Sequence, residues 1–127
     1  MELYAEIILD HYQNPHHFGT LSHATFCAED ANPLCGDKLK MDFVIDKNDK
    51  ISDVAFSGEG CAISRASASM LTDELIGKSL EEAGKITSEN IFEMIQVPLT
   101  PARVKCALLG LAVLKKALLE QKLKINN

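Results

Sequence analysis

The sequence lacks the features that mark several classes of protein. It has no tryptophan, and it has no run of about 18 consecutive apolar residues, so we expect no membrane-spanning helix. It has no excess of positive charge, because its formal net charge is -5 at pH 7, and this disfavours a nucleic-acid partner. Residues 1–6 carry acid where a secretory signal carries base. We therefore expect a cytoplasmic location, in which thiols stay reduced.

Internal repeats, low-complexity tracts and linkers are also missing, so residues 1–127 are predicted to form a single domain. Apolar residues make up 46% of the chain and charged residues 24%, as in ordinary soluble globular proteins. There are 4 cysteines, none of them in a Cys-x-x-Cys pair. They could pair as disulfides, but a disulfide framework needs an oxidising compartment, and nothing in the sequence indicates one.

Local patterns predict a short helix followed by strands. Residues 2–13 predict a helix that ends before a proline, since the residue preceding proline avoids the α region. The His16-His17 pair follows in a predicted loop and is expected to be solvated. A weak strand lies within residues 21–31. Alternating apolar and polar side chains predict a strand over residues 39–45, and residues 51–57 form its partner in an antiparallel hairpin.

The second half of the chain predicts helices. One begins at or just after Cys61, and its many Ala and Ser residues predict a closely packed neighbour. Residues 79–82 have the form of a capping box, and residues 88–95 predict another short helix. The last helix is predicted to start at Thr100-Pro101, with an N-cap followed by proline at the first position, and residues 121–127 are expected to fray. Strands followed by helices indicate an α+β fold.

Three cysteines lie where the local chemistry favours an exposed, reactive sulfur. Cys61 stands at an expected helix start, where backbone N–H groups and the helix dipole favour an anion and lower the pKa of a thiol. Cys106 lies early in the last helix, with Lys105 adjacent and Arg103 nearby, and these cations act in the same direction. Cys35 occupies a Pro-x-Cys-Gly turn that allows a ligand to approach closely. These patterns predict thiolates, the form that binds metal or attacks sulfur.

Asp37 lies two residues after Cys35 and can offer a hard oxygen beside the sulfur. Together with Cys61 and Cys106 these residues would give three thiolates and a carboxylate, a set that suits a zinc ion or an iron–sulfur cluster. Because an oxygen ligand binds iron less firmly than a thiolate does, a cluster held there is expected to be labile. Spacing alone leaves open the alternative that the cysteines are unrelated and buried. Cys27, between two apolar residues, is expected to be a small core side chain outside the site.

Several segments carry a resemblance to a known family. They are Asn32-Pro33-Leu34-Cys35-Gly36-Asp37, Gly58-Glu59-Gly60-Cys61-Ala62-Ile63-Ser64 and Pro101-Ala102-Arg103-Val104-Lys105-Cys106, with the early run Asp10-His11-Tyr12-Gln13-Asn14-Pro15 and Gly19. In this order they resemble the scaffold family of iron–sulfur cluster assembly, the IscU/SufU/NifU N-terminal family. The likeness covers essentially the whole chain, and the ordered combination is far more specific than any single segment.

The resemblance implies a small antiparallel sheet of about three strands, helices packed on one face and a long C-terminal helix. It implies that Cys35, Asp37, Cys61 and Cys106 surround a transient [2Fe–2S] cluster or a zinc ion. It also implies a cysteine desulfurase as a partner that delivers persulfide sulfur to Cys106, and acceptor apoproteins that receive the product. Residues 12–19 would form part of a contact surface, and a homo-oligomer is compatible with this picture.

The sequence departs from both main types of this family. IscU-type members have histidine where this chain has Lys105. Residues 101–106 look SufU-like, yet the extra segment that SufU-type members carry between the second and third cysteines is absent. The Leu-Pro-Pro-Val-Lys chaperone motif of IscU-type members is present only as Leu-Thr-Pro-Ala-Arg at residues 99–103, so a dedicated Hsp70 is not expected as a partner. Three hypotheses stay open: a cluster-assembly scaffold, which is a carrier rather than an enzyme; a zinc-containing sulfurtransferase that stimulates the desulfurase; and a purely structural zinc module.

Overall fold

The computed structural model describes residues 2–33 and 36–125. Its helices and strands follow in the order α1 (Glu2–Gln13), β1 (Phe26–Asn32), β2 (Asp37–Ile45), β3 (Ile51–Glu59), α2 (Ala62–Leu75), α3 (Leu80–Gly84), α4 (Ser88–Ile95) and α5 (Pro101–Ile125). The α+β fold and the long C-terminal helix that the sequence predicts are confirmed. Within the described residues, no helix combines the length and the apolar character needed to cross a bilayer.

The three strands form one antiparallel sheet in the order β1-β2-β3. Phe43 stands at its centre, opposite Phe26 on one side and Val54 on the other. All three side chains are buried and point to the same face, which confirms the predicted hairpin and its apolar face. The first strand begins at Phe26 rather than at residue 21, because residues 19–25 are used to cross the sheet.

Helices α2 and α5 cover the apolar face, with α5 lying against β1 and β2 and α2 against β3. The two helices also contact each other closely. A Cβ added at Gly110 of α5 would lie 3.5 Å from the Cα of Ala68, and Ser67 Oγ donates a hydrogen bond of 2.7 Å to the carbonyl of Ala107. The close neighbour predicted for the small residues of α2 is therefore α5.

Residues 19–25 run across the opposite face of the sheet. The Gly19 N–H donates to the carbonyl of Phe56 on β3, and the Leu21 N–H donates 3.0 Å to Oδ2 of Asp42 on β2. Asp42 is one of the polar residues in the alternation along β2, yet it is buried, with a residue exposure of only 4%. The crossing segment buries the carboxylate and supplies it with a backbone donor.

The prediction that Cys27 is a core residue is also wrong. Cys27 lies on β1 between Phe26 and Ala28, both of which are buried, and its own side chain is exposed. Successive residues of a strand point to opposite faces. With both neighbours directed into the core, Cys27 has to face outward.

The predicted helix boundaries agree with the structure more closely than the predicted exposures do. Helix α1 ends at Gln13 and α4 covers 88–95 as predicted, and Ser79 and Glu82 form the expected capping box before α3. Helix α5 extends to Ile125, so residues 121–125 of the tail predicted to fray are helical in the structure.

Gly58, near the end of β3, lets this strand approach β2 just before the chain turns toward Cys61. Its φ is +130°, and a Cβ there would lie 2.1 Å from the carbonyl oxygen of Lys38. We expect Gly58→Ala to lower the free energy of unfolding by about 2–3 kcal/mol, because the backbone angle and the strand contact must both change. Urea denaturation measures this. Gly84→Ala is the control, since its added Cβ would meet only Leu118, at 3.8 Å; equal losses in both variants would contradict the explanation.

Candidate metal centre

Three potential ligands meet where the sheet, α2 and α5 come together. Asp37 begins β2, Cys61 immediately precedes α2, and Cys106 lies in the second turn of α5. Their ligand atoms, one carboxylate oxygen and two sulfurs, all lie within 4.8 Å of one another. Residues far apart in the sequence thus form one cluster through the fold.

Cys61 is held in place by the start of α2. It is the N-cap residue, with extended backbone angles of φ -71° and ψ 172°. Its N–H donates 3.2 Å to Oδ1 of Asp37, and its carbonyl accepts the N–H of Arg65 at 3.1 Å. The Asp37 carboxylate therefore lies at the positive end of the α2 dipole, and the same helix start directs the Cys61 sulfur into the cluster.

Ser64 was not predicted as part of the site, and it lies against Cys61. Its hydroxyl donates 3.1 Å to the Cys61 carbonyl and lies 3.7 Å from the Cys61 sulfur. The fit is tight, because a Cβ added at Gly60 would lie 2.3 Å from Ser64 Oγ. A polar residue three positions into a helix that follows a cysteine is the sequence signal that could have identified Ser64.

The surroundings of Cys61 favour its thiolate. Burial by itself raises the pKa of Cys61, but the N–H and hydroxyl of Ser64, the Cys106 thiol and the Ile63 N–H outweigh it, so the pKa lies below the ordinary value. This direction agrees with the prediction made from the helix start. Hydrogen-bond donors directed at the sulfur are the main cause.

Arg103 supplies the cation of the site. Hydrogen bonding and Coulombic attraction to Cys61, followed by the same interactions with Cys106, raise the pKa of Arg103 above its usual range. Its side chain is exposed, one turn before Cys106 on α5. The guanidinium therefore faces both sulfurs from the solvent side, in agreement with its predicted influence on the thiols.

Lys105 points elsewhere. It is exposed, and it borders a shallow groove together with Asn32 and Pro33 of β1 and the turn that follows. The sequence grouped Lys105 with Arg103 because both precede Cys106. On a helix, however, side chains rotate by about 100° per residue, so Arg103 and Lys105 point about 200° apart, and of the two only Arg103 faces the sulfurs.

Cys106 is buried, with 1% of its residue surface exposed, so the expectation of an exposed sulfur is wrong for it. Its thiol lies 3.7 Å from the Ala102 carbonyl, and the adjacent Ala107 packs into the core. Cys61 is half-buried. Cations and helix ends favour a thiolate whether or not its sulfur is exposed. The Cys106 sulfur is buried because α5 packs over the end of the sheet.

Cys35 lies outside the described residues, so its predicted place at the site stays a prediction. The residues around it form a turn in which the Gly36 N–H donates 2.9 Å to the carbonyl of Asn32. Gly36 has a φ of +77°, a conformation that suits glycine. Asn32 and Asp37 face each other across β1 and β2, and both are buried.

The donor set fits a thiophilic metal. Two sulfurs and one carboxylate oxygen, on rigid elements and partly shielded from water, match the ligands that zinc and iron–sulfur centres accept. Among the described residues the arrangement provides three potential ligands, and Asp37 is also anchored to the α2 start, which keeps its carboxylate in position. Such a site can bind a metal ion, and its thiolates can also act as sulfur nucleophiles.

Comparison with known proteins defines the family. The chain matches the model of the NifU-like N terminal domain over residues 3–127. The protein therefore belongs to the NifU-like N-terminal domain family, which confirms the resemblance seen in its motifs.

Curated relatives and a solved structure are similar along nearly the full chain. The "Iron-sulfur cluster assembly scaffold protein IscU" of Haemophilus influenzae is 36% identical over 129 residues, covering 95% of this chain and 97% of that protein. The "Zinc-dependent sulfurtransferase SufU" of Bacillus subtilis is 37% identical, covering 94% and 91%. A solved structure of the SUF-system protein FiSufU from Fervidobacterium islandicum superposes with a TM-score of 0.79 at 34% identity, covering 92% of this chain and 97% of that chain.

Replacing Arg103 should slow the reaction of the site thiols. We expect Arg103→Gln to decrease the rate of Cys61 alkylation by iodoacetamide at pH 7 by about three- to tenfold, because loss of the guanidinium raises the thiol pKa and lowers the thiolate fraction. Lys105→Gln, which removes the same charge two residues away, should leave the rate nearly unchanged. Peptide mass spectrometry of the labelled metal-free protein distinguishes the cysteines. Equal effects of the two substitutions would show that general charge, rather than contact, controls reactivity.

Proposed function

We propose that this protein is a scaffold on which iron–sulfur clusters are assembled before transfer to acceptor apoproteins. One observation carries the proposal: Asp37, Cys61 and Cys106 place their ligand atoms within 4.8 Å of one another in a chain of this family. Cys35, from the adjacent turn, would complete a set of three thiolates and one carboxylate. The cargo is a [2Fe–2S] cluster, for which cysteine thiolates are the usual ligands.

The carboxylate distinguishes a scaffold from a permanent cluster site. Cysteine thiolates are the usual ligands of a retained cluster, whereas Asp37 offers an oxygen that also accepts the Cys61 N–H. This ligand can exchange between the iron and the backbone donor. Such exchange suits a cluster that is built and then released.

Sulfur would arrive as a persulfide on a cysteine desulfurase. The Cys106 thiolate attacks the terminal sulfur of that persulfide, a new S–S bond forms on Cys106, and the S–S bond on the desulfurase breaks to release its thiolate. No net oxidation occurs, since one persulfide replaces another. Because Cys106 is 1% exposed, this step requires the start of α5 to move when the desulfurase binds. Arg103, on the solvent side of the sulfurs, would stabilise the anions involved.

A second candidate function is that of a zinc-containing sulfurtransferase that stimulates the desulfurase. The 37% identity to the B. subtilis zinc-dependent sulfurtransferase favours it. Cys35, Asp37, Cys61 and Cys106 would then hold a resident zinc ion, which keeps the thiolates deprotonated. Displacement of one thiolate by a partner's ligand would release it as the nucleophile.

Anaerobic reconstitution separates the two functions. Metal-free protein is incubated with ferrous iron, cysteine, a cysteine desulfurase and dithiothreitol, which supplies the electrons that reduce persulfide sulfur to sulfide, and visible sulfur-to-iron charge-transfer absorption is recorded. The scaffold function predicts this absorption, and predicts that it is found on the acceptor apoprotein when the two proteins are mixed and then separated. The sulfurtransferase function predicts that protein purified without chelator contains zinc, that it gains sulfur on Cys106 by mass spectrometry, and that it speeds desulfurase turnover. Absence of the absorption, together with full zinc occupancy of the protein as purified, would overturn the scaffold proposal, and an unchanged turnover rate would overturn the alternative.

The desulfurase, the acceptor apoproteins and the cytoplasmic location belong to this proposal as predictions. Co-purification with a desulfurase from the source cell tests the first of these directly. Exposed apolar side chains near the site, among them Phe18 at 45% exposure and Tyr12 at 38%, support the predicted contact surface over residues 12–19.

A further inference from the structure

A second cluster of metal-ligating side chains lies where α1 and the loop after it pack on α2. Ligand atoms of His11, His16 and Asp73 lie within 4.8 Å of one another. Asp73 is near the end of α2, whereas Cys61 precedes its start. With a rise of about 1.5 Å per residue, the two positions are roughly 18 Å apart along the helix axis. The cluster is therefore separate from the thiol centre, and it does not depend on the function proposed for that centre.

Asp73 is the common partner of the loop histidines, which the sequence had predicted to be solvated. Its Oδ2 lies 2.6 Å from Nδ1 of His16 and its Oδ1 lies 3.0 Å from Nε2 of His17. The buried Ser69, one turn earlier on α2, holds the other side of the cluster. Its Oγ accepts a hydrogen bond of 2.7 Å from the backbone N–H of His16 and lies 2.7 Å from the ring Nδ1 of His11. The rings of His11 and His16 are 4.5 Å apart.

We propose that His11, His16 and Asp73 bind a divalent first-row transition-metal ion, of which Zn²⁺ is the representative. Two imidazole nitrogens and one carboxylate oxygen form a donor set of intermediate softness that suits such ions and leaves a position for water. His17 bonds the other oxygen of Asp73 and orients the carboxylate, as partners of metal ligands do in known sites.

The geometry needs only small side-chain movements to accept the ion. Zinc bonds of about 2.0–2.2 Å place neighbouring ligand atoms roughly 3.3 Å apart in a tetrahedral site. His16 Nδ1 and Asp73 Oδ2 would separate slightly, and His11 would move inward. The side chains of His16 and Asp73 are 47% and 39% exposed, so they can adjust without disturbing the core. The ion takes the place of the proton that His16 Nδ1 and Asp73 Oδ2 share in their hydrogen bond.

Charges around the cluster agree with cation binding. Burial, followed by repulsion from His16, lowers the pKa of His11, although Asp73 and Asp10 act in the opposite direction. A neutral imidazole presents the lone pair that a metal needs. Asp73 and the nearby Asp10 would balance the charge of a divalent ion.

A bound ion would fasten the loop after α1 onto α2. That loop also carries Phe18, whose ring lies 5.3 Å from that of Phe56 and under the Arg65 guanidinium at 4.4 Å. Arg65 is one turn from Cys61 along α2. The ion would therefore stabilise the surface between the two sites without touching the thiols.

Titration of the metal-free full chain with Co²⁺ tests the site. Co²⁺ at the thiol centre gives intense sulfur-to-cobalt charge-transfer absorption, whereas Co²⁺ at the histidine site adds only weak d–d bands. We expect the charge-transfer absorption to saturate at the first equivalent and a second equivalent to bind with d–d bands alone. Titration with Zn²⁺, monitored by calorimetry, should show the same two steps. Binding of only the sulfur-ligated equivalent in the wild-type chain would overturn the proposal.

Variants identify the ligands. We expect His16→Ala and Asp73→Asn to weaken the second step at least about tenfold and to leave the first step unchanged. His23→Ala is the matched control, because His23 is an exposed histidine outside the cluster, and it should leave both steps intact. A second step that survives in both ligand variants would overturn the proposal.

Thermal unfolding distinguishes a metal site from a loop fastening made by hydrogen bonds alone. Excess Zn²⁺ should raise the Tm of the wild-type and His23→Ala chains beyond the shift caused by the first equivalent, and this additional shift should vanish in Asp73→Asn. If Asp73→Asn instead lowers the Tm equally in Zn²⁺ and in chelator, with no additional shift in the wild type, the cluster has only a structural role.

Discussion

Cys106→Ser is expected to lower the affinity for Zn²⁺ by on the order of 10²–10³-fold and to prevent cluster assembly. Zinc binds four-ligand structural sites with a free energy of roughly 10–16 kcal/mol, so loss of one thiolate removes about 3–4 kcal/mol of binding free energy. The sulfur is well placed to contribute its share, because it belongs to the three-ligand group with Asp37 and Cys61. Competition with a coloured chelator measures the zinc affinity, and anaerobic reconstitution measures the cluster.

The same variant tests the structural zinc hypothesis. Serine is close to cysteine in size, and its hydroxyl can donate to the Ala102 carbonyl that the Cys106 thiol already contacts. We therefore expect the metal-free variant to stay folded, with a loss of about 1 kcal/mol in the free energy of unfolding. Cys27→Ser, at an exposed position on β1, is the control and should change neither property. A Cys106→Ser chain that cannot fold would favour a structural zinc module instead.

The fold could be predicted because its elements are specified locally. The alternation along β2 and β3 defined the hairpin, and Thr100-Pro101 and the 79–82 capping box marked helix starts that the structure confirms. Exposures were less predictable because they depend on contacts between elements. Nothing near Asp42 in the sequence indicates that residues 19–25 bury it, and the orientation of Cys27 depends on which residues of β1 face the core.

Part of the candidate site could also be predicted, because two of its cysteines are marked by their sequence neighbours. A cysteine before a helix and a cysteine beside cations are local signals, and both residues lie in the cluster with Asp37. What the signals do not contain is the helix rotation that separates Arg103 from Lys105, or the packing that buries Cys106. The histidine cluster had no local signal at all, since His16 and Asp73 are brought together only when the loop after α1 packs on α2.

Asp37 therefore has a proposed role as a ligand and an observed role at the start of α2. Its residue exposure is 5%, and its Oδ1 accepts the N–H of Cys61. A substitution at this position affects both the metal chemistry and the helix. The two effects can be separated by comparing alanine, which removes both, with asparagine, which keeps an oxygen for the Cys61 N–H but loses the charge.

Asp37→Ala is expected to lengthen the lifetime of a bound cluster by about tenfold or more and to slow its transfer to an acceptor apoprotein. The carboxylate can move between the iron and the Cys61 N–H, and this exchange gives incoming ligands a route to the iron. A methyl group closes that route. Decay of the visible absorption after removal of excess iron gives the lifetime of the cluster. Activation of an acceptor apoprotein measures the rate of transfer.

Stability provides the independent readout for Asp37. Asp37→Ala should lower the free energy of unfolding of the metal-free protein by about 1–2 kcal/mol, because the start of α2 loses its anionic acceptor. Asp37→Asn should recover most of that stability and still show slow transfer, since a neutral amide is a poor ligand for iron. If transfer from Asp37→Ala is instead faster than from the wild type, the carboxylate retains the cluster and release must depend on the thiolates.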